Sequence, residues 1–254
     1  MTGQELITHM RESMLDDAAE PYLWADAELL RYLNYAEVQA CRRAHLIIDG
    51  TTGNDSGTGA WSLGTGGTRG TGGVKPLCSL SITADTAVYN LSPKILQVRR
   101  CQLLSMTYPL MGPITYPEVD ELLSGWIGTS GTIGTAGSGG YPTYFLNEPG
   151  NTIAFIRAPS ADDTASLIVS RIPLIPFSLI TSPEIEEKYH EGLMDWAAHL
   201  AYMKSDSEVQ NLNLAKVYEN KFVIQFGGLP DAFSDRMRKT LAQQQRMRAR
   251  EWGS

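Results

Sequence analysis

The chain has 254 residues, of which 43% are hydrophobic and 19% charged, and its formal net charge is −7 with a pI of about 5.1. This is enough apolar material for one large domain or two small ones, and the acidic balance argues against a surface that binds nucleic acid over most of its area. The charge is uneven: residues 231–254 carry six Lys/Arg against three Asp/Glu, giving +3 there and −10 over residues 1–230.

The cysteines are Cys41, Cys78 and Cys101, which are far apart and form no CxxC pair. This spacing offers neither a zinc knuckle nor a redox motif, so we expect three reduced thiols. No apolar run approaches the ~18 residues of a membrane span, and no signal peptide is visible. We therefore expect a soluble protein that is made in the cytosol and does not enter a membrane.

Two helices are predicted in the N-terminal segment, residues 1–49. Thr2 and Glu5 have capping-box spacing at the start of a helix over 2–17, and Pro21 is expected to end this element. Asp26 is expected to cap a second helix of about twenty residues, which the run 46–48 closes before Gly50. Its predicted apolar stripe is Leu29, Leu30, Leu33, Ala36, Ala40 and Ala44. The charged residues off this stripe are Arg31, Glu37, Arg42 and Arg43.

Two segments are rich in glycine. Residues 50–73 hold ten Gly and eight Ser/Thr, and glycine recurs at every third position from Gly125 to Gly140. Such segments cannot bury enough apolar surface to offset their backbone entropy. We therefore predict flexible loops over 50–76 and 124–140, either in solvent or ordered only by a neighbouring subunit.

The region 77–180 has the pattern of a β domain. Short runs rich in Val, Ile, Leu and Tyr are separated by Pro, Asn and Gly, and they predict strands over 77–83, 87–91, 97–106, 143–147, 152–156 and 166–172. Most of these runs are not separated by a helix long enough for a parallel crossover. The pattern therefore favours an antiparallel sandwich or a small barrel.

The chain returns to helix over 181–228, where a helical hairpin is predicted. Ser182 and Pro183 form a helix-start signal, and an apolar stripe follows at Ile185, Tyr189, Leu193, Trp196, Leu200 and Met203. The second helix presents Val209, Leu212, Ala215, Phe222 and Phe226 and is ended by Gly227. Tyr189, Leu193, Trp196, Leu200 and Phe222 are the expected core, and Trp196→Ala is expected to cost about 3–5 kcal/mol.

These elements predict an α+β fold. The N-terminal helices and the 181–228 hairpin form a helical bundle, the β region is inserted between them, and residues 229–254 form a basic C-terminal arm.

No catalytic or metal-binding constellation is found. His190-Glu191 lacks a second histidine at the spacing of a helical zinc site, because the fifth position is Met194. The glycine-rich loops lack a phosphate-loop pattern, and no nucleophile elbow occurs. The pairs Asp16-Asp17 and Asp162-Asp163 are interpreted as solvated turns. We therefore expect no enzyme activity and no cofactor.

The chain contains, in this order, the segments WADAELLRYLNYAE at 24–37, ACRRA at 40–44, YNLSP at 89–93, GYPTY at 140–144 and PEIEEKYHEGLMDW at 183–196. Together they resemble a family of head-to-tail adaptors of tailed bacteriophages. Each is weakly specific alone, but their order and spacing match the family over roughly 24–48, 77–120 and 141–228. The strand motif carries one extra residue here, and both glycine-rich loops and the basic tail fall outside the match.

The resemblance implies a structural virion subunit without catalysis. It implies a homo-oligomeric ring, commonly of twelve subunits, between the portal protein and the tail or nozzle proteins, with genomic DNA passing through the lumen without sequence-specific binding. In that setting Trp61, Leu63 and Trp126 are expected to contact a neighbouring subunit or the tail. The expected portal-docking arm comprises Arg236, Arg238, Lys239, Leu241, Arg246, Met247, Arg248, Arg250 and Trp252.

Two alternatives stay open. The basic tail is also compatible with a solvated helix end, or with a DNA contact. The whole chain could instead be another virion protein or a carbohydrate- or receptor-binding β module, with Trp61, Tyr108, Tyr116 and Trp126 as the exposed aromatic residues.

Overall fold

The structure, a computed structural model, describes residues 1–50, 77–122, 141–148, 151–205 and 210–231. It combines helices with antiparallel sheets, which confirms the predicted α+β class. The chain divides into a helical unit, Met1–Ile47 with Ile172–Leu229, and a β unit that holds Ile48–Arg171. The helical unit is therefore discontinuous in sequence, and the segment of the β unit is inserted between its two parts along the chain.

The described residues form five α-helices and seven strands. The helices are α1 (Gly3–Met10), α2 (Asp26–Ala44), α3 (Tyr116–Leu122), α4 (His190–Met203) and α5 (Leu212–Phe226). A π-helical turn, Arg11–Leu15, continues α1, and a 3-10 turn, Glu187–Tyr189, precedes α4. The strands are β1 (Ile47–Gly50), β2 (Ser79–Ile82), β3 (Val88–Asn90), β4 (Ile95–Leu103), β5 (Tyr144–Glu148), β6 (Thr152–Ile156) and β7 (Asp163–Arg171).

The helical unit has one continuous apolar core. Leu6 and Met10 of α1, Leu33 of α2, Leu193 of α4 and Phe222 of α5 belong to it, and none of them is exposed. The predicted capping box is confirmed, because Thr2 Oγ1 accepts from the Glu5 amide while the Glu5 carboxylate accepts from the Thr2 amide. Gly227 ends α5, as predicted.

Three predicted helix boundaries are wrong. The N-terminal element ends at Leu15 because Asp16 adopts a left-handed conformation, and Ala25 rather than Asp26 caps α2. No helix starts at Ser182-Pro183. The amides of Glu184 and Ile185 instead donate to the Glu37 carboxylate, at 2.5 and 3.2 Å, which holds this segment outside a helix until Glu187.

The predicted apolar stripes are also partly wrong. In α4 the buried face is Leu193, Met194, Ala197, Ala198 and Ala201. It is rotated by roughly one residue, ~100°, from the predicted stripe, and Met203 is exposed. In α2 and α5, Ala44 and Leu212 are exposed, whereas Glu37 and Arg43 are buried. Val209 lies outside the described residues.

All six predicted strands are present, with ends shifted by up to three residues. Strand β7 is central to one sheet, pairing with β1, β2 and β4, and β6 is central to the other, pairing with β3 and β5. The run predicted to close the second helix instead enters β1, because the chain leaves α2 through a left-handed His45. The short helix α3 was also not predicted.

Side chains from both sheets share one buried cluster, which includes Val98, Cys101, Phe145, Phe155 and Leu167. The opposite face of the smaller sheet packs against α3. There Leu146, Ala154 and Ile156 are buried with Ile114 and Val119. The sheet formed by β3, β6 and β5 is thus covered on both faces, which explains why β6 is buried along most of its length.

Candidate assembly surfaces

A buried arginine fixes the loop between the π-helical turn and α2. Arg11 donates to the Asp17 carboxylate, to the carbonyl oxygen of Trp24 and to Asp26. Asp17 in turn accepts from the amide of Leu23, at 2.8 Å, and from that of Trp24. We call residues 16–24 the anchored loop, because both of its ends are tied to one arginine.

The anchored loop directs some side chains inwards and others to solvent. Trp24 is 1% exposed, donates from Nε1 to the carbonyl of Ala201 and meets the Tyr202 ring edge-on. Tyr22 and Leu23 are 46% and 48% exposed, and the Arg11 guanidinium lies 4.0 Å from the centre of the Tyr22 ring. The loop therefore presents an aromatic and an aliphatic side chain on a fixed backbone.

Helix α5 is apolar on two faces. Its inner face, Ala215, Phe222 and Phe226, belongs to the core. Its outer face consists of Leu214, Val217, Lys221 and Ile224, at spacings of three, four and three residues, so these side chains share one side of the helix. All four are exposed, and Ile224 is 85% exposed. A second apolar stripe on a helix that already packs by its first stripe is typical of an interaction surface.

Arg43 holds the end of α5. Its guanidinium lies 4.6 Å from the Trp196 ring and 4.9 Å from the Phe222 ring, and Nη1 donates to the carbonyl of Gly227 at 3.1 Å. Burial lowers the pKa of Arg43, and the nearby Glu219 carboxylate opposes that shift. Gly227 has φ 86°, a conformation that favours glycine. Arg43 and Gly227 together fix the direction in which the chain leaves α5.

The β unit buries an ion pair where the chain enters and leaves it. Arg171 Nε donates to Asp49 Oδ2 at 3.0 Å, and both side chains are buried. Cys78 lies close enough for the Asp49 charge to affect it. Burial, and to a smaller extent that charge, raises the pKa of Cys78 to about 12. Burial alone raises the pKa of Cys101 to about 12, so both thiols stay protonated near neutral pH.

The β unit also exposes large apolar side chains. Leu104, Tyr108 and Met111 follow β4, and Tyr108 is 77% exposed. Of the four aromatic residues considered for a carbohydrate-binding surface, Tyr108 and Tyr116 are exposed, and Trp61 and Trp126 lie outside the described residues.

Within the described residues, no cluster of three or more His, Cys, Asp and Glu side chains has the geometry of a metal site. His190 is buried against the carbonyl of Ile185, at 3.1 Å, and burial lowers its pKa. The interpretation of Asp16-Asp17 as a solvated turn is wrong for Asp17, which is buried in the Arg11 network. Asp162 and Asp163 accept from the backbone amides of Ala84 and Ser105.

The structure places the other predicted site residues as follows. Leu193 and Phe222 are fully buried in the helical core, whereas Tyr189, Trp196 and Leu200 are half-buried. The predicted loop contacts Trp61, Leu63 and Trp126, and the whole predicted docking arm from Arg236 to Trp252, lie outside the described residues.

The sequence pattern does not predict the anchored loop, the outer face of α5 or the role of Arg43. A signal for the second stripe is present, because Leu214, Val217 and Ile224 repeat at helical spacing beside the predicted core stripe. Tyr22 and Leu23 follow Pro21 outside any predicted helix, which is a weaker signal of exposed apolar side chains. Nothing in the sequence pattern separates Arg43 from the exposed Arg42 beside it.

In the described part of the chain, both units expose large apolar side chains, as proteins that bind other proteins often do. A family model described as SU10 adaptor protein matches residues 1–250. The chain therefore belongs to the SU10 adaptor protein family, a family of phage head-to-tail adaptors. A comparison with curated proteins gave no match. No helix in the described part of the chain is both long and apolar enough to span a membrane.

Proposed function

We propose that this protein is the subunit of a homo-oligomeric ring that joins the portal protein to the tail of a phage particle. The family match over residues 1–250 is the observation that carries the proposal. The ring, commonly of twelve subunits in the resemblance described above, would extend the DNA channel and be assembled in the host cytoplasm before it becomes part of the virion.

The exposed apolar side chains support this proposal. A ring needs two different surfaces on each subunit that meet head to tail and close. The helical unit offers the anchored loop and the outer face of α5, and the β unit offers Tyr108 and its neighbours. Genomic DNA would pass through the ring without sequence-specific contacts, since residues 1–230 carry a net charge of −10, which repels phosphates.

The basic C-terminal segment is the proposed portal-docking arm. Residues 236–250 carry six Lys/Arg and no acidic residue, and Met237, Leu241, Met247 and Trp252 add apolar anchors. Binding of the portal through both the basic charges and the apolar side chains should persist at moderate salt. A DNA contact by the same six charges should weaken by orders of magnitude between low and physiological salt.

The test is attachment of the purified full-length chain to purified portal rings of the same phage, imaged by electron microscopy, at two salt concentrations. We expect a ring of density on the tail-facing side of the portal. Deletion of residues 231–254 should abolish attachment. Equal docking by the truncated and the full chain would refute the docking arm, and failure of the full chain to attach would refute the adaptor function.

A further inference from the structure

We propose that the anchored loop of one subunit docks on the outer face of α5 in a second copy of this chain. The inference rests on the proposed function, since it names a contact between neighbouring subunits of the ring. Its basis is the complementarity of two surfaces in the helical unit, both of which are exposed in the single chain.

The anchored loop is preorganised in the single chain. The Arg11 network holds the backbone at Asp17, Leu23 and Trp24, and the Arg11 guanidinium covers one face of the Tyr22 ring. Binding therefore costs little additional conformational entropy. Tyrosine is enriched among the hot spots of protein interfaces.

The outer face of α5 is chemically complementary to the anchored loop. Leu214, Val217 and Ile224 form an apolar stripe with Lys221 in its middle. The Lys221 ammonium lies 4.8 Å from the centre of the Tyr218 ring, at the edge of the stripe. An apolar partner with a carboxylate would cover the stripe and pair with this lysine.

The charges of the two surfaces are opposite. The exposed acidic residues Glu12, Asp16 and Glu20 lie on and beside the anchored loop, whereas Lys221 lies within the stripe on α5 and Lys216 is exposed elsewhere on the same helix. The one acidic residue of α5, Glu219, lies near Arg43 and is not part of the outer face. The basic C-terminal segment is a poor occupant of this stripe, because its charge has the same sign as the two lysines.

The two surfaces meet between two copies and not within one chain. In the single chain, Tyr22 and Leu23 of the loop and Ile224 of α5 are all exposed. The two surfaces therefore do not cover each other within one chain. Two different surfaces that meet between copies form a heterologous contact, which closes into a ring or propagates. A loop and a few helical turns bury less than the ~800 Å² per partner of a stable complex. The free subunit should therefore associate weakly and assemble on the portal.

The contact can be trapped with paired cysteines. Ala19→Cys lies in the loop and Asn220→Cys lies beside the α5 stripe, and both positions are exposed and leave the proposed contact residues unchanged. Cys41, Cys78 and Cys101 are fully buried, so they should not compete for reagent. The two full-length variants are mixed on portal rings with a short thiol–thiol cross-linker. Thr8→Cys, exposed on α1, replaces Ala19→Cys in the control mixture.

We expect the Ala19–Asn220 product to form at least about tenfold faster than the control product, because contact raises the effective concentration of the two thiols. Glu20→Lys and Lys221→Glu should each reduce the rate in a chain of unchanged melting temperature, and the two together should restore it. Equal rates for the two mixtures on rings that do attach to the portal would overturn this contact and leave the adaptor function standing.

A chain that does not attach to portal rings would instead refute the proposed function. The same two mixtures, cross-linked as concentrated free subunits, would then decide the loop–α5 contact alone. A faster Ala19–Asn220 product would support it, and equal rates would overturn it.

Discussion

The helical unit and the β unit each bury an arginine–aspartate pair, but the pairs join the chain over very different distances. Arg11 and Asp17 are six residues apart and close a surface loop, whereas Asp49 and Arg171 are 122 residues apart and join β1 to β7. A loop can open locally and return its charges to water, but a strand pair inside a sheet cannot. The same type of interaction should therefore be worth more in the β unit.

The largest effect is expected for Arg171→Met, which leaves the buried Asp49 carboxylate without this partner. Removing one member of a buried pair costs about 3–5 kcal/mol in the free energy of unfolding. The reactivity of the cysteine thiols shows which unit unfolds, because Cys78 and Cys101 lie in the β unit and Cys41 lies in the helical unit. Thiol labelling in urea should show earlier exposure of Cys78 and Cys101, with Cys41 unchanged.

The matched control for Arg171→Met is the double variant Asp49→Leu with Arg171→Met, which removes both charges. It should recover most of the lost stability, because an apolar pair of similar volume often replaces a buried ion pair without cost. If the double variant is no more stable than the single one, the loss comes from packing, and the uncompensated charge is not its cause.

The second prediction compares two tryptophans of the helical unit. Trp24 is fully buried, and its Nε1 donates to Ala201, so Trp24→Ala should cost about 3–5 kcal/mol. Trp196 is half-buried between Arg43 and Phe222, and its Nε1 has no hydrogen-bond partner, so Trp196→Ala should cost about half as much, ~2 kcal/mol. Urea unfolding of both variants measures the difference. Equal losses would show that the contacts of Trp196 with Arg43 and Phe222 matter as much as full burial.

The difference between these tryptophans also shows what a sequence pattern cannot predict. The strands, the α+β class and the inserted β region follow from apolar runs and punctuating Pro, Asn and Gly, which are local signals. The helical period that Trp196 shares with Leu193 predicts for it the loss of a fully buried side chain. The position of a stripe on a helix depends on packing partners, and in α4 Gly192 lies close to Gln225 and Phe226 of α5, a contact that the sequence pattern does not reveal.

The candidate surfaces were less predictable than the fold, for a related physical reason. Glu37, Arg43, Arg11 and Asp17 are charged, so a hydrophobic pattern places them in solvent. Each is buried because it hydrogen-bonds backbone groups that no helix or sheet satisfies, as Glu37 does for Glu184 and Ile185. Such partners are distant in sequence for Glu37 and Arg43, and no local pattern reveals them.

The third prediction tests whether the Arg11–Asp17 pair of the helical unit contributes less stability than the Asp49–Arg171 pair of the β unit. Arg11→Met should cost about 1–3 kcal/mol, because the anchored loop can open and hydrate Asp17. The Leu23 amide, which donates to Asp17, should lose hydrogen-exchange protection, while the amides of α4 keep theirs. Arg31→Met, at an exposed position of α2, is the control and should change stability by less than about 0.5 kcal/mol. A loss as large as that of Arg171→Met would remove the distinction between a loop pair and a strand pair.

The smallest effect concerns the pH dependence of the helical unit. His190 is buried, and its ring contacts the carbonyl of Ile185 and the N-terminal ammonium of Met1, with Glu187 nearby. Burial lowers the pKa of His190 below its ordinary value of 6.5, and the Met1 charge adds to that shift, while the Ile185 carbonyl and Glu187 oppose it. Below pH 6.5 the unfolded chain therefore binds a proton that the folded chain does not yet bind. Stability is full above this pH and declines as the pH falls towards the lower pKa of the folded state.

The melting temperature should consequently drop between about pH 7.5 and about pH 5.5, and His190→Gln should reduce that drop while keeping a side chain able to donate to Ile185. His9→Gln, at an exposed position of α1, is the matched control and should leave the drop unchanged. The β unit supplies an internal reference, because thiol labelling of Cys78 and Cys101 follows its unfolding separately from that of Cys41. If the drop is the same with and without His190, the proton is taken up elsewhere, and the buried histidine does not set the acid sensitivity of the helical unit.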